Sequence, residues 1–309
     1  MTVLTGLLPV TVTVAPGIGS LLSWVATLMF AGCQKMDRPA LASYPKDVNP
    51  PGGALKFYLA FDGTSPDPLR NAVDSVRANF AASNPFTSIP GITGKAVQGL
   101  AAKDKGIKFT SANDFAKSTS FTISYWMKNT PATDGEPEFH FSLPSKDYWH
   151  NSALFLLVEK GGPDAGNSTT SEMACTLAIQ DYWVEFRGNN RLPKALDGNW
   201  HHIVFVYDEA TSKVTAYVDA VAVAYQGDQN IVKNGGNPKG PLTFLNAAQD
   251  NVNSFVVGGW NRHVGGLQDE LKGPQDPWIH SYSGGMDQFR LYSKALSASE
   301  ISALYNSKM

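Results

Sequence analysis

The sequence predicts an all-β protein, a two-sheet antiparallel sandwich that ends in one short helix. Short segments in which apolar and polar residues alternate recur along the chain, and this period of two is typical of half-buried strands. Turn-forming residues separate those segments, and helical periodicity is nearly absent. Many short strands with turn signals between them favour a β-sandwich over other fold classes.

Composition limits the class of protein. Of the 309 residues, 43% are hydrophobic and 17% are charged, which indicates a globular fold and not a disordered chain. The net charge of -2 and the lack of a Lys/Arg run leave no electrostatic argument for nucleic-acid binding. Roughly 250 residues follow the N-terminal leader, which is long for an average domain but ordinary for one large β-sandwich.

The N-terminus is predicted to be a targeting signal. Residues 21–30 form an apolar run that is too short to span a bilayer and has the length of a signal-peptide core. The run ends in Ala31-Gly32-Cys33, which resembles a bacterial lipoprotein cleavage box, although no Lys or Arg precedes it. We therefore expect residues 1–33 to be a signal peptide and Cys33 to carry lipid as the first mature residue. A plain signal peptide and an uncleaved anchor are the alternatives.

The segment after the cysteine indicates a position at the cell surface. Residues 34–53 are rich in Pro and Gly and lack apolar periodicity, which predicts a semi-extended linker. The linker would hold a folded domain, residues 54–309, off the membrane. Residues 34–37 resemble the surface-export tag of Bacteroidetes lipoproteins. We therefore expect a lipid-anchored bacterial protein at the outer membrane, displayed on the cell surface.

The domain is predicted to be a succession of strands. Residues 55–61 alternate, whereas residues 64–93 carry four prolines and are expected to be mostly loop. Residues 153–159 are apolar throughout, which favours a strand buried on both faces. Residues 201–207 and 213–219 flank a short polar loop and predict a hairpin. The other predicted strands are residues 106–109, 119–128, 173–180, 182–187, 254–260 and 286–292.

The C-terminus predicts a turn, a strand and a capped helix in succession. The Gly pair at 284–285 allows the backbone freedom that a turn requires, and Phe289 and Leu291 then alternate with polar residues. Ser297 precedes Glu300 by three residues, which is the spacing of a capping box that starts a helix.

Several segments in a fixed order resemble the laminin-G-like (concanavalin A-like) jelly-roll family. They are Phe61-Asp62-Gly63, Gly94-Lys95-Ala96, FTISYWMK at 121–128, NWHHIVFVYD at 199–208, and GMDQFRLYSKALSASEI at 285–301. The resemblance covers about residues 55–309 and implies a jelly roll, a fold that hosts lectins, adhesins and glycanases. The family usually has Gly where Ala220 stands, so the turn there is expected to be strained or of another type.

The resemblance also implies a calcium site. In the family, one ion often bridges the first and last strands of the domain, and Asp62 and Asp287 stand at the matching positions. Ca²⁺ takes about 6–8 oxygen ligands from carboxylates, carbonyls and water. The alternative is that Asp62 caps a turn while Asp287 accepts backbone N–H bonds. A calcium ion at this position would be structural and not catalytic.

Aromatic residues outside the predicted core strands are candidates for sugar binding, because sugars stack their apolar faces on exposed rings. Two groups lie in residues 138–151 and 260–282, both of which are expected to be loops. Tyr182-Trp183 is a further candidate, whereas Trp126 and Trp200 lie in strand motifs and are expected to be core residues. The predicted ligand-binding residues are His140, Trp149, Trp260, Arg262, Trp278 and His280.

The predicted function is non-catalytic binding of a polysaccharide or other glycan by a surface lipoprotein. Jelly-roll glycanases carry Glu-x-Asp-x-x-Glu on one strand, and that string is absent from the sequence. A protein-binding adhesion or assembly module and a polysaccharide-degrading enzyme of the same fold are the alternatives. His201-His202 is expected to lie in a structural strand with its rings on opposite sides, and Cys175 is expected to be a small buried hydrophobe.

Overall fold

The computed structural model describes residues 53–62, 85–100, 105–109, 112–131, 136–144, 149–242, 244, 255–264 and 276–308. The predicted signal peptide, Cys33 and nearly all of the predicted linker lie outside the described residues, so these expectations stay predictions. In the described part of the chain, no helix is both long enough and apolar enough to cross a membrane.

The described residues form strands and one short α-helix. The strands are β1 (Leu55–Leu59), β2 (Thr87–Pro90), β3 (Lys95–Gln98), β4 (Ile107–Phe109), β5 (Phe121–Lys128), β6 (Glu138–Leu143), β7 (Leu154–Val158), β8 (Cys175–Ile179), β9 (Tyr182–Phe186), β10 (Trp200–Asp208), β11 (Lys213–Val218), β12 (Val221–Ala222), β13 (Lys233–Asn234), β14 (Asn237–Pro238), β15 (Phe255–Val257), β16 (His280–Ser281) and β17 (Gly285–Tyr292). The α-helix, α1, is Ala298–Ser307.

Two mostly antiparallel sheets enclose one core. The first sheet has the strand order β12-β11-β10-β5-β17-β3-β2, and β1 also pairs with β17. The second sheet has the order β4-β15-β6-β7-β8-β9, with the short β16 parallel to β6. Strands β13 and β14 form a separate two-stranded ribbon. This arrangement confirms the predicted all-β sandwich.

Alternate residues of the strands enter the core between the sheets. Aromatic rings contact each other across it: Phe57 of β1 lies 5.2 Å from Phe255 of β15, and Tyr125 of β5 lies 6.4 Å from Phe141 of β6, between ring centroids. Full burial of one such side chain contributes roughly 1.5–3 kcal/mol. The core therefore fixes which residues of each strand face outward, and those outward residues form the candidate sites.

Helix α1 covers part of the outer face of the first sheet. The predicted capping box is present, because the Ser297 hydroxyl accepts a hydrogen bond from the Glu300 N–H at 3.3 Å, and the Glu300 carboxylate accepts the Ser297 N–H at 2.9 Å. Ile301 packs against Val204 and Val206, which alternate along β10 with residues of the core. The helix thus shields apolar side chains that the sheet would otherwise expose.

Two strands lie where the sequence analysis predicted loops. Strand β2 falls within residues 64–93 and forms an edge of the first sheet. Proline is tolerated there because an edge strand has one side without a partner strand, so the missing N–H of Pro90 breaks no pairing. Strand β6 occupies the start of the predicted 138–151 loop, and all six of its residues are buried. A β-bulge at His140 shifts its register against β7, so both His140 and Phe141 lie in the interior.

The turn between β11 and β12 has a strained backbone. Asp219 and Ala220 have φ angles of 51° and 64°, which lie in the left-handed region. Two successive left-handed residues are typical of the type I′ turns that connect adjacent antiparallel strands. A Cβ atom in this conformation costs roughly 1–2 kcal/mol, so the strain expected at Ala220 is present.

Replacement of Ala220 by Gly should stabilise the protein. We expect Ala220→Gly to raise the free energy of unfolding by about 1 kcal/mol, because glycine adopts left-handed angles without steric cost. Ala222→Gly is the matched control: this residue lies in β12 at a negative φ, and the change should lower stability by about 0.5–1 kcal/mol. Urea unfolding measures both, and the same sign of change in the two variants would contradict the assignment of strain.

Candidate functional site

The outer face of the second sheet forms a trough. In β7, Phe155 and Leu157 alternate with core residues and therefore face outward. The neighbouring β8 contributes only the small side chains Thr176 and Ala178 to the same face. Trp183 of β9 is paired with Ala178, and its ring centroid lies 5.7 Å from that of Phe155. The large side chains of β7 and β9 thus form the two walls of the trough, and the small side chains of β8 form its floor.

An aromatic patch occupies one end of the trough, and we define it as Trp149, His150, Phe155, Trp183 and Trp278. The Trp149 ring centroid lies 5.7 Å from that of Trp183 and 5.8 Å from that of Trp278. These spacings are in the favourable range for edge-to-face aromatic contacts. Trp149 is buried and Trp183 is half-buried, whereas Trp278 is 40% exposed and is therefore the most accessible indole of the patch.

Asp276 holds two of these indoles in place. Its Oδ2 accepts a hydrogen bond from the Trp149 Nε1–H at 2.5 Å, and its Oδ1 accepts one from the Trp278 Nε1–H at 3.2 Å. The two ring planes consequently stand at 85° to each other. Asp276 itself has a left-handed φ of 37°, a conformation that costs a non-glycine residue roughly 1–2 kcal/mol. The strained backbone of Asp276 thus places its carboxylate where it fixes both the Trp149 and the Trp278 indole.

His150 adds a polar group to the aromatic patch. Its ring centroid lies 5.0 Å from that of Trp183. Burial lowers the pKa of His150 below its ordinary value of 6.5, and the nearby Asp276 charge opposes that shift only in part. The imidazole is therefore neutral at pH 7, with one nitrogen that donates a hydrogen bond and one that accepts. Such a group suits the recognition of hydroxyls.

The other end of the trough carries an ion-pair cluster, which we define as Glu159, Glu185 and Arg187. Arg187 Nη1 lies 3.5 Å from a Glu159 carboxylate oxygen and 3.2 Å from a Glu185 carboxylate oxygen. Burial raises the pKa of Glu159, while the Arg187 charge lowers it. Trp183, Glu185 and Arg187 occupy alternate positions along one strand, so aromatic and charged groups follow each other over about 13 Å.

Four of the five predicted ligand-binding residues with described side chains are buried: His140, Trp149, Trp260 and His280. His140 is fully enclosed between the sheets, with its Nδ1 2.9 Å from the Tyr125 hydroxyl, and burial lowers its pKa to about 3. Trp260 is 1% exposed and stacks on Phe139 at 6.3 Å beneath the aromatic patch. Neither His140 nor Trp260 reaches the surface, so both expectations are corrected: Trp260 supports the aromatic patch from below, whereas His140 packs in the core against Tyr125 and Tyr282.

The remaining predicted residues have mixed outcomes. His280 pairs with Glu138 through β16 and is 8% exposed, which leaves little of its ring at the surface. The Arg262 backbone lies in a 3₁₀ turn, Asn261–Val264, and its side chain lies outside the described residues. Trp149 and Trp278 come together in the aromatic patch with Trp183, the residue that the sequence analysis named as a further candidate. Asp276, which joins them, was not singled out.

The predicted calcium ligands converge on one turn. Asp287 Oδ2 accepts a hydrogen bond from the Ile92 N–H at 2.9 Å, and Asp62 Oδ1 accepts one from the Lys95 N–H at 2.7 Å. Glycines at both contact points allow this approach: a Cβ on Gly91 would lie 2.3 Å from Asp287 Oδ2, and one on Gly94 would lie 2.0 Å from Asp62 Oδ1. The turn between β2 and β3 therefore lies against both carboxylates.

The Asp287 carboxylate is buried and accepts a backbone N–H bond. The residue is fully buried, and its Oδ1 has no hydrogen-bond partner among the described residues. Burial raises the pKa of Asp287 to about 7, and the negative charge of Asp62 contributes to that shift. The described residues contain no cluster of three or more His, Cys, Asp or Glu side chains with metal-binding geometry. A cation held by Asp62 and Asp287 would thus also need backbone carbonyls and water, which is the ligand set that Ca²⁺ accepts.

The His201-His202 pair has the predicted structural role. His201 lies between two carboxylates, with Nδ1 2.7 Å from Asp219 Oδ2 and Nε2 3.0 Å from Asp197 Oδ1, and the hydrogen bond to Asp219 raises its pKa. His202 instead contacts Ser124 and lies beneath Tyr305 of α1 on the outer face of the first sheet. Neither ring belongs to the trough.

Comparison with known proteins identifies the type of domain. The family profile described as the concanavalin A-like lectin/glucanases superfamily, of the laminin G type, matches residues 101–258. The chain matches no curated protein sequence.

Two solved structures are similar to this chain at low sequence identity. Domain 4 of AbnA, an extracellular arabinanase from Geobacillus stearothermophilus solved with arabinotriose, is 19% identical over 81% of this chain and 98% of that chain, with a TM-score of 0.49. The binding domain of Paraclostridial Mosquitocidal Protein 1 is 14% identical over 82% of this chain and 52% of that chain, with a TM-score of 0.52. The latter similarity shows a common sandwich fold.

Proposed function

The chain belongs to the concanavalin A-like lectin/glucanases superfamily, and from this premise we propose that it binds carbohydrate without cleaving it, through the trough of the second sheet. The observation that carries the proposal is the pair of indoles on Asp276, of which Trp278 is 40% exposed. An exposed indole held by its own N–H bond presents a flat apolar surface at a defined angle. Sugar rings need such a surface for their apolar faces.

The polar groups of the trough suit the hydroxyls of a sugar. Neutral His150 can donate and accept, and Arg187 and Glu185 offer donors and acceptors at the opposite end. Because Asp276 orders Trp278 before a ligand arrives, little side-chain entropy is lost on binding. The distance of about 13 Å between Trp183 and Arg187 leaves room for an oligosaccharide along β9.

The carboxylates of the trough favour binding over hydrolysis. Retaining glycosidases need two carboxyl groups about 5–5.5 Å apart on either side of the scissile bond. Both oxygens of Asp276 already accept indole N–H bonds, so this group is not available as a nucleophile. Glu159 and Glu185 do lie near each other, but the Arg187 guanidinium lies between them and engages both. This arrangement is that of an ion-pair network.

Trp278→Ala should weaken sugar binding while leaving the fold intact. We expect retardation in affinity gels that contain plant, algal or host polysaccharides, and we expect Trp278→Ala to weaken it about tenfold or more, the equivalent of roughly 1.4 kcal/mol. Leu100→Ala is the matched control, because Leu100 is an apolar side chain of comparable exposure, 46%, outside the trough. Equal mobility of the two variants, or no retardation of the wild type by any polysaccharide, would contradict the proposal.

We also propose that Ca²⁺ binds between Asp62 and Asp287 and joins the two ends of the domain. The support is the buried, unpartnered Oδ1 of Asp287 together with the two glycine contacts that bring the β2–β3 turn against both carboxylates. When bound, the ion would neutralise two carboxylates that otherwise repel each other. Its role would be structural.

The pH dependence of stability tests the calcium proposal. The pKa of Asp287 rises from 3.8 to about 7 on folding, so the folded state holds the proton more tightly and stability is lost as pH rises between these values. In chelator, we expect the melting temperature to fall across this window, and in excess Ca²⁺ the fall should disappear. Asp287→Asn should remove both the fall and the Ca²⁺ response, whereas Asp164→Asn, an exposed control, should keep them. Identical melting curves in chelator and in Ca²⁺ would contradict the calcium proposal.

We propose, on sequence grounds, that the protein is a surface lipoprotein anchored through Cys33. The chain contains two cysteines, and Cys175 is fully buried in the core of the sandwich, as predicted. Expression in a bacterial host with an alkyne-bearing fatty acid should label the wild type and Cys175→Ala but not Cys33→Ala. Labelling of the Cys33→Ala variant would contradict the anchor.

A further inference from the structure

A second groove lies on the outer face of the first sheet. It encloses about 560 Å³. Four neighbouring strands each contribute one residue to a row beneath and beside the groove. Trp200 of β10 pairs with Lys128 of β5. Lys128 also pairs with Gly285 of β17, which in turn pairs with Gln98 of β3. The next residues along these strands, such as Met127 and Met286, belong to the core. The row therefore faces outward, on the opposite side of the sandwich from the trough.

Trp200 forms one wall of the groove. It was expected to be a core residue, but its side chain is only half-buried. Gly285 allows this position, because a Cβ there would lie 3.1 Å from both the Trp200 Cη2 atom and the Ile89 Cδ1 atom. The indole thus lies close to the sheet backbone and keeps part of its surface exposed to the groove.

Among the residues that the structure describes, Lys128 is the only charged one that lines this groove. Its ammonium group is exposed, and it makes no ion pair or hydrogen bond with any residue that the structure describes. The nearby carboxylate of Glu138 is buried and accepts hydrogen bonds from the N–H and the hydroxyl of Ser283. The carboxylate of Asp287 is buried behind Gly91 and accepts the Ile92 N–H. The accessible charge that the described residues bring to the groove is therefore positive.

Amide side chains complete the lining. Gln98 Nε2 donates to the carbonyl of Ser283, which holds the amide at the edge of the groove. Asn129 Nδ2 donates a hydrogen bond to Glu138 Oε2 at 3.4 Å, and Asn129 Oδ1 accepts one from the Thr130 N–H at 2.8 Å. An aromatic wall, fixed amides and a single cation are the features that bind a ring bearing hydroxyls and one anionic group.

We propose that this groove binds an anionic sugar residue of a glycan, with its ring against Trp200 and its carboxylate or sulfate on Lys128. The proposal shares with the proposed function only the class of ligand, since it uses other residues on the other sheet. A chain with both sites would hold two parts of a polysaccharide, or two strands of it, on opposite faces of one domain. Linked weak sites of this kind gain affinity through effective concentration.

Matched pairs of polymers test the anionic preference. Titration calorimetry on the purified full chain would compare polygalacturonate with its methyl ester, and dextran sulfate with dextran. We expect the anionic member of at least one pair to bind more tightly than its neutral partner. Whichever pair shows the difference identifies the anionic group as a carboxylate or a sulfate. Equal affinity within both pairs would overturn the proposal.

A pair of lysine variants tests the site. Lys128→Gln should weaken binding of the anionic polymer about tenfold, as expected for the loss of one charged hydrogen bond. Lys117→Gln is the control, since Lys117 is an exposed lysine just before β5, whereas Lys128 ends that eight-residue strand, roughly 25 Å away. Both changes are at exposed positions and should leave the melting temperature unchanged. Equal losses in the two variants would indicate nonspecific attraction and overturn the assignment.

Trp278→Ala separates this proposal from the proposed function. We expect that variant to keep the wild-type preference for the anionic over the neutral polymer, which Lys128→Gln should lose, because Trp278 belongs to the aromatic patch on the opposite face of the sandwich. Loss of anionic binding in Trp278→Ala, with Lys128→Gln unaffected, would assign the ligand to the trough and overturn the second groove. Loss in Lys128→Gln alone would support the groove even if the trough bound no polysaccharide.

Discussion

Strand β17 is the element on which the rest of the structure depends. On one side it pairs with β5 along most of its length, and on the other side it pairs first with β3 and then with β1. The bulge between Asp287 and Arg290, with Gln288 at a left-handed φ of 52°, marks the change of partner. Strand β17 thus joins β1 and the β2–β3 hairpin, and because these partners are far apart in sequence, their pairing closes long loops at an entropic cost.

The position of β17 between β5 on one side and β3 and β1 on the other determines three separate features. Asp287 lies where β1 and β3 meet along β17, so its carboxylate is buried against the β2–β3 turn. Gly285, two residues earlier, forms the low point beside which Trp200 lies. The chain then continues from β17 directly into α1, which shields the outer face of the same sheet. A register slip of one residue would turn each side chain of β17 to the opposite face of the sheet. The slip would also expose Met286, Phe289 and Leu291, so burial of these three residues in the core fixes the register.

The sequence predicted the sandwich, the hairpin of β10 and β11, the strands β8 and β9 and the capped helix, because these follow from local alternation and local turn chemistry. It did not predict that β6 is a strand, because its polar residues find partners only across the interior, as His140 does with Tyr125. The same limit affects the site: whether Trp260 is buried and Trp278 exposed depends on β-strands distant in sequence. Asp276 had a detectable signal, an Asp-Pro turn directly before Trp278, but its bond to Trp149 joins segments 127 residues apart.

The energetics of Asp276 explain how the protein itself holds the aromatic patch in one arrangement. The left-handed backbone at this residue costs roughly 1–2 kcal/mol. Each hydrogen bond from an indole N–H to its charged carboxylate contributes about 1.5–3 kcal/mol, so two such bonds exceed the strain. Trp149 is anchored further by its ring contacts with Phe139 and Phe155, and it fixes Asp276 in turn. The exposed Trp278 is therefore held in place by Asp276, which is itself held by the buried Trp149. A ligand that stacks on Trp278 does not have to order a free side chain, so its binding free energy is not reduced by that entropy loss.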